Sequence, residues 1–284
     1  MPLVGTGTLV SAAAAERHGL GAFNVVQLEH ITAIIAGAEQ ARTPAVLQIS
    51  ENTVRFHGAL RPLAAAALAA AEAARVPVSV HLDHATSPEL VEEAVALGVP
   101  SVMYDASTLP YDENVAATAA LVERCHRHGV WVEAELGEVG GKDGVHAPGA
   151  RTDPGEAAAF AAATSVDGLA VAVGTSHAML VRDAVLDFSL ISALRDAVPV
   201  PLVLHGSSGV GDADLVKAVA HGMTKINIAT HLNATFTGAV RRALRTRATS
   251  VDPRHHLGAG REAMAEETFR LLRLLRRLPA EVAS

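Results

Sequence analysis

Three histidines each close a short apolar run and are followed at once by a small residue: His84 in HLDHA, His177 in GTSHA and His205 in VLHG. Neutral imidazoles suit a borderline-soft divalent cation, and three of them leave a coordination position for a substrate. One histidine so placed is more often a packing residue; three in equivalent places point to a metal. Asp83 adjoins the first of them. A carboxylate there either orients a histidine or handles a proton beside the ion, and the proton role is the one expected. His205 also opens the run His205-Gly206-Ser207-Ser208-Gly209, whose small residues let backbone N–H groups converge on an anion. His57, His126, His146, His221, His255 and His256 lack such placement and read as surface or packing residues. His81, two residues before Asp83, is expected to point inward, for packing or for hydrogen bonding behind a ligand.

The elements that must hold these groups are legible as an alternation. Short β-branched runs recur about every thirty residues at 21–25, 45–50, 76–83, 101–107, 131–137, 168–174, 201–206 and 225–230, with Ala-rich helical stretches between them. Several are apolar throughout, as strands buried on both faces require. Eight such repeats in 284 residues predict a closed (β/α)8 barrel, with a doubly wound open sheet as the alternative. Pro110 is expected to open a helix at its first position, and Asp153-Pro154-Gly155-Glu156 reads as a helix start. Gly98, Gly129 and Gly222 follow helical stretches and read as left-handed ends. Residues 138–152 and 175–186 are long loops after the fifth and sixth strands. No linker divides the chain, so 1–284 is expected to be one barrel domain with a helical extension at about 250–284. That extension either packs on its own barrel or meets a second subunit.

In a (β/α)8 barrel, chemistry sits at the C-terminal ends of the strands. Those ends supply, in order, Asn24, Ser50, Asp83 with His84, Asp105, Glu135, His177, His205 and Asn227. Random placement would scatter such groups; here each strand delivers one at the same end.

Composition narrows the classes. Half of the residues are hydrophobic but only 3% are aromatic, so the core must be built from Ala, Val and Leu. A net charge of −7, from 23 basic and 30 acidic residues, argues against a nucleic-acid partner. The one cysteine, Cys125, excludes an intrachain disulfide and reads as an inert thiol in a helix. No apolar run reaches membrane-spanning length, and the N-terminus lacks the basic region of a signal peptide before meeting Glu16 and Arg17. A cytoplasmic location is expected.

At these residues the chain resembles the class II, metal-dependent ketose-bisphosphate aldolases, of the fructose- and tagatose-bisphosphate type. The resemblance runs nearly end to end: GAFNV, LQIS, HLDHA, VMYDAS, EAELG, GTSH, LHGSSGV, KINIAT, FTGAVR and DPR. It implies that His84, His177 and His205 hold a catalytic Zn2+ or another divalent metal, and that Asp83 handles the C4 hydroxyl proton. It links Asp105 and Glu135 to a second metal position. It places Gly206 and Ser208 at a phosphate, and Asn24, Ser50, Asn227 and Thr230 on the substrate. Arg254 would reach a neighbouring subunit's site, which implies a homo-oligomer, dimer or tetramer. Two positions depart from the pattern. Ala178 replaces the usual Gly after the second histidine, where family members bind a monovalent cation. The loop Gly140-Gly141-Lys142-Asp143-Gly144 lacks the usual glutamate, leaving Asp143 as the acidic candidate for the C3 proton.

The implied activity is reversible cleavage of a ketose 1,6-bisphosphate, with fructose 1,6-bisphosphate the leading substrate, through an enediolate, to dihydroxyacetone phosphate and glyceraldehyde 3-phosphate. Alternatives are a tagatose-1,6-bisphosphate or other ketose-phosphate aldolase, a metal-dependent hydrolase, and a catalytically silent sugar-phosphate-binding barrel. A Schiff-base aldolase needs a lysine at a strand's C-terminal end. The three lysines, Lys142, Lys217 and Lys225, are read as loop, helix and strand start.

Overall fold

Apolar runs bounded by Gly, Pro and Asp become strands, and the Ala-rich stretches between them become helices. The structure is a computed structural model describing residues 3–136, 151–176 and 182–277. Helix α1 (Thr6–Glu16) precedes β1 (Leu20–Asn24), α2 (Leu28–Ala41) and β2 (Ala45–Ser50). Two helices, α3 (Glu51–His57) and α4 (Arg61–Ala73), lead into β3 (Val78–Ala85). After them come α5 (Pro88–Ala96), β4 (Ser101–Tyr104), α6 (Tyr111–His126), β5 (Trp131–Leu136), α7 (Pro154–Thr164) and β6 (Gly168–Val171). The remaining elements are α8 (Phe188–Ala197), β7 (Leu202–Leu204), a 3-10 turn at Ser207–Gly209, α9 (Asp212–His221), β8 (Met223–Ile228), α10 (Thr230–Thr246) and α11 (Pro253–Leu275).

All neighbouring strands are parallel and pair in sequence order, and β1 closes on β8 from Leu20↔Lys225 to Phe23↔Ile228. That ladder makes the sheet a barrel and removes the open-sheet alternative. Strand ends shift from those predicted. β3 runs on to Ala85, and β8 begins at Met223, so Lys225 is its third residue and not its first. Helix boundaries follow local chemistry. Asp153 accepts from the N–H groups of Gly155 and Glu156, with Pro154 at the first helical position. Pro110 falls one place earlier than expected, as the N-cap of α6. Gly98, Gly129 and Gly222 all take positive φ.

The barrel interior is mixed. Met103, Ala170 and Val203 pack together as a small apolar cluster. Gln48, Ser79, His81, Ser101, Glu133 and Lys225 are fully buried polar or charged residues of the same strands and their neighbours. At the N-terminal end of the strands, Leu9, Val10 and Ala13 of α1 pack on Leu20, Ala22 and Val46. Thr6 Oγ1 lies 2.7 Å from Ser79 Oγ, so the floor of the barrel is hydrogen-bonded as well as packed. Cys125 is buried in α6, and burial pushes its thiol up to about 11, in keeping with an inert side chain.

The C-terminal leucines resolve in favour of the chain's own barrel. Met264, Leu271, Leu272 and Leu275 of α11 are buried, and the helix packs against α2 and α10. Gly37 permits the close approach: a Cβ there would sit 2.6 Å from the Ala265 carbonyl oxygen and 2.8 Å from Thr268 Cβ. Among the described residues, no helix is long and apolar enough to cross a membrane.

Two outcomes follow from this packing. Gly37→Val forces α2 from α11 and should cost about 1–3 kcal/mol, seen as a lower Tm; an unchanged Tm would show that the helices part freely. His30 is buried on α2 against Phe236, and burial lowers its pKa to about 4, with Glu29 opposing. The unfolded chain therefore takes up a proton at about 6.5 that the folded chain refuses until about 4. The stability this contributes is present above the upper value and is lost as pH falls through that window. His30→Leu should flatten the pH dependence of unfolding there, by up to about 1.4 kcal/mol per pH unit, measured by denaturant titration. An unaltered slope would exclude His30 as the source.

Candidate metal and substrate site

Consecutive residues on a strand point to opposite faces, so Asp83 and His84 cannot both face the barrel mouth in a regular β3. The backbone solves this with an irregularity. The β3–β4 register shifts between Leu82 and Ala85, and His84 takes a left-handed φ of +52°. A β-bulge of this kind re-aims one side chain at a cost of about 1–3 kcal/mol. The turn behind it is pinned: Glu51 accepts the Thr86 backbone N–H at 2.6 Å and the Thr86 hydroxyl.

Both described histidines then have their tautomers set by carboxylates. His84 Nδ1 lies 3.0 Å from Asp105 Oδ2 and 3.7 Å from Glu135 Oε2, and Asp105 is steadied through Oδ1 by Ser107. His205 Nε2 lies 2.8 Å from Glu133 Oε1. An anionic acceptor takes the N–H of each ring on those sides. The opposite nitrogens, His84 Nε2 and His205 Nδ1, then carry lone pairs and face one another at 2.9 Å. Two lone pairs at that distance repel unless a cation or a proton lies between them. Asp83, His84 and His205 offer ligand atoms within 4.8 Å of one another, as do His84, Asp105 and Glu135. The donor set therefore fits a divalent ion, with His84 common to both groups. His177, the third expected imidazole, lies outside the described residues, as do Ala178 and Asp143.

Asp83 is held by a relay across the first three strands. Gln48 Nε2 donates to Asn24 Oδ1 at 3.1 Å, and Asn24 Nδ2 donates to Asp83 Oδ2 at 2.8 Å. Asp83 Oδ1 is buried with no hydrogen-bond partner among the described residues. Burial would raise its carboxyl, but His84, His205, Lys225 and His81 together hold it below the usual carboxylate range. The group is thus a fixed anion with one oxygen still able to accept.

The expected phosphate region lies where the loop after β7 meets the start of α10. Gly206 has φ +65°, and a Cβ there would lie 2.7 Å from the Ser176 carbonyl oxygen. Ser207 Oγ donates to the Asn227 carbonyl. Ser208 Oγ accepts from the N–H groups of Ala229 and His231, so it caps α10 from outside, and Thr230 is the first residue of that helix. Farther out, Asp212 and Glu267 link Arg182, Arg270 and His231 in one chain of ion pairs.

Other expected residues have structural employment. Ser50 caps α3 by accepting from the Thr53 N–H. Asn227 Oδ1 accepts from Lys225 Nζ at 2.9 Å, while its amide nitrogen sits 3.0 and 3.4 Å from the two ring nitrogens of His205. Arg254 lies exposed at the start of α11, paired with Asp252, and is not brought to the described cluster. His81 is fully buried and meets Ser101 Oγ at 2.9 Å through Nδ1, the inward placement expected of it. Sequence reasoning passed over Gln48 and Glu133, and weighed Lys225 only as a Schiff-base lysine at a strand start. Each is two residues from a residue singled out at a strand end, and the two-residue period of a strand was the signal that pointed to them.

Comparison with known proteins bears on the family and the fold. The family model described as fructose-bisphosphate aldolase class-II matches residues 4–277. The chain is 39% identical over 277 residues to a Bacillus subtilis (strain 168) protein named "Probable fructose-bisphosphate aldolase", covering 96% of this chain and 97% of that one. Among solved structures, the YdjI aldolase of Escherichia coli K12 is similar with a TM-score of 0.82 and 32% identity, covering 96% of this chain and 97% of that chain. The fructose-bisphosphate aldolase of Campylobacter jejuni, at 23% identity with a TM-score of 0.81 and 96% of both chains covered, supports the fold alone.

Removing either described imidazole should empty the site. His84→Ala and His205→Ala, equilibrated with Zn2+ and desalted, should retain a small fraction of the metal held by the unsubstituted protein, measured by elemental analysis. Full retention in both would sink the paired-imidazole site.

Proposed function

Because the chain belongs to the class-II fructose-bisphosphate aldolase family, we propose that it reversibly cleaves a ketose 1,6-bisphosphate, fructose 1,6-bisphosphate foremost, to dihydroxyacetone phosphate and glyceraldehyde 3-phosphate. The observation that carries this reading is the pair of facing imidazole nitrogens beside the Asp83 oxygen that has no partner among the described residues. His84 and His205, with His177 as third ligand, would hold Zn2+ or another divalent cation accepted by imidazoles. Bound there, the cation would act as a Lewis acid on the ketose oxygens and favour electron withdrawal from the C3–C4 bond.

The chain's own groups supply the rest. Asp83 Oδ1 takes the C4 hydroxyl proton as the C3–C4 bond breaks, while Asn24 keeps the other carboxylate oxygen in place. Asp143 returns a proton to the three-carbon fragment. Gly206 and Ser208, at the junction of the loop after β7 with the N-terminus of α10, receive the phosphate of that fragment, where backbone N–H groups and the helix dipole favour an anion. Asn24, Ser50, Asn227 and Thr230 orient the sugar chain. Arg254, exposed at the start of α11 and paired with Asp252, meets the far phosphate in a neighbouring subunit of a dimer or tetramer. Asp105 and Glu135 provide the second metal position on the other side of His84. The reaction is assigned to the cytoplasm.

Asp83→Ala should lower kcat by about 10²–10⁴-fold with bound metal unchanged. The assay couples released triose phosphate to a dehydrogenase, over a panel including fructose and tagatose 1,6-bisphosphates, with and without chelator. Turnover that survives both the substitution and metal removal would defeat the proposal. Cleavage of tagatose 1,6-bisphosphate alone would move the substrate assignment to that stereoisomer.

A further inference from the structure

Beneath the mouth of the barrel lies an ion pair that the reaction as described does not use. Lys225 and Glu133 are both fully buried, with Lys225 Nζ 2.8 Å from Glu133 Oε2. The other oxygen of Glu133 accepts from His205 Nε2 at 2.8 Å. Lys225 Nζ also donates to Asn227 Oδ1 at 2.9 Å, and the Asn227 amide nitrogen lies against the His205 ring. One ammonium therefore holds both the carboxylate that accepts from His205 and the amide that lies beside its ring. Resting on the metal-site reading above, we infer that Glu133 and Lys225 are positioning residues for His205. Glu133 fixes the proton of that ring on Nε2 and so turns the Nδ1 lone pair to the ion site, and Lys225 cancels the carboxylate charge that this task requires.

The cancellation has a physical purpose. Asp83, Asp105 and Glu135 already place carboxylates around His84 and the ion site. A further bare anion one imidazole away would offset part of a dication's charge through a low-dielectric interior, where Coulomb interactions are strong. With Lys225 beside it, Glu133 acts at the site as a hydrogen-bond acceptor whose net field is small. The same pairing explains why Lys225 is no Schiff-base lysine. Its ammonium is committed inside the barrel, has no exposed surface, and offers no lone pair to a carbonyl.

A neutral core plug would predict a fold role only, so the decisive readout is metal affinity. Apoprotein of the unsubstituted chain, E133L/K225M, E133Q/K225M and H205A is titrated with Zn2+ in competition with a chromophoric chelator, alongside the Tm of each apoprotein. In E133L/K225M both charges and the acceptor are gone, and Kd for Zn2+ should rise about 10–100-fold, the usual effect of losing a ligand's hydrogen-bond partner. In E133Q/K225M the charges are gone but an amide oxygen still accepts from Nε2–H. Its Kd should stay within about threefold of the parent, and it serves as the test if the leucine pair does not fold. Zn2+ affinity unchanged in a folded E133L/K225M, or lost in E133Q/K225M as completely as in H205A, would overturn the inference. Failure of the unsubstituted chain to bind Zn2+ would instead strike the underlying metal reading, and the two failures are thereby told apart.

Discussion

A strand shows alternate faces, yet Asp83 and His84 are consecutive and both must reach the barrel mouth. The left-handed backbone at His84 and the register shift beside it meet that requirement. The rest of the site depends on this local departure. Only with His84 turned inward does Asp105, on the next strand, meet its Nδ1, and only then does its Nε2 face His205. A non-glycine residue persists in such a conformation when surrounding contacts over-determine it. Here the Glu51–Thr86 bonds hold the following turn, and the Asp105 N–H donates to the Ala85 carbonyl.

Charge inside the barrel is the second governing condition. A carboxylate or ammonium in an apolar interior is tolerated when it is paired and hydrogen-bonded. Glu133 meets this through Lys225 and His205; although burial would raise its carboxyl, these partners bring it down to about 2. His81, pushed down to about 3 mainly by burial and then by Lys225, stays neutral among them and hydrogen-bonds Ser101. Met103, Ala170 and Val203 form a small apolar cluster among these groups, and Met103 is the register partner of Glu133 on the neighbouring strand.

Around these groups, the loops are tied to rigid elements. Ser207 and Ser208 stitch the turn after β7 to the end of β8 and the start of α10. Ion pairs carry that connection on to α11, which lies closely on α2 because Gly37 has no side chain. Helix α11 thereby braces the expected phosphate region from behind as well as covering apolar surface.

Much of this was written in the sequence. Eight apolar runs with helical stretches between them predicted a barrel, because parallel strands covered on both faces must be apolar along most of their length. Against that background a polar residue at a strand end stands out, which is how Asp83, His84, Asp105, Glu135 and His205 were legible before any coordinates. What tertiary structure alone decided was mutual position. The meeting of Glu133 with Lys225, 92 residues apart, depends on the packing of the closed barrel, and the shared direction of Asp83 and His84 depends on a bulge. Spacing could mark Glu133 and Lys225 as inward residues but not their meeting, since side-chain alternation is a local rule and barrel closure is a property of the whole sheet.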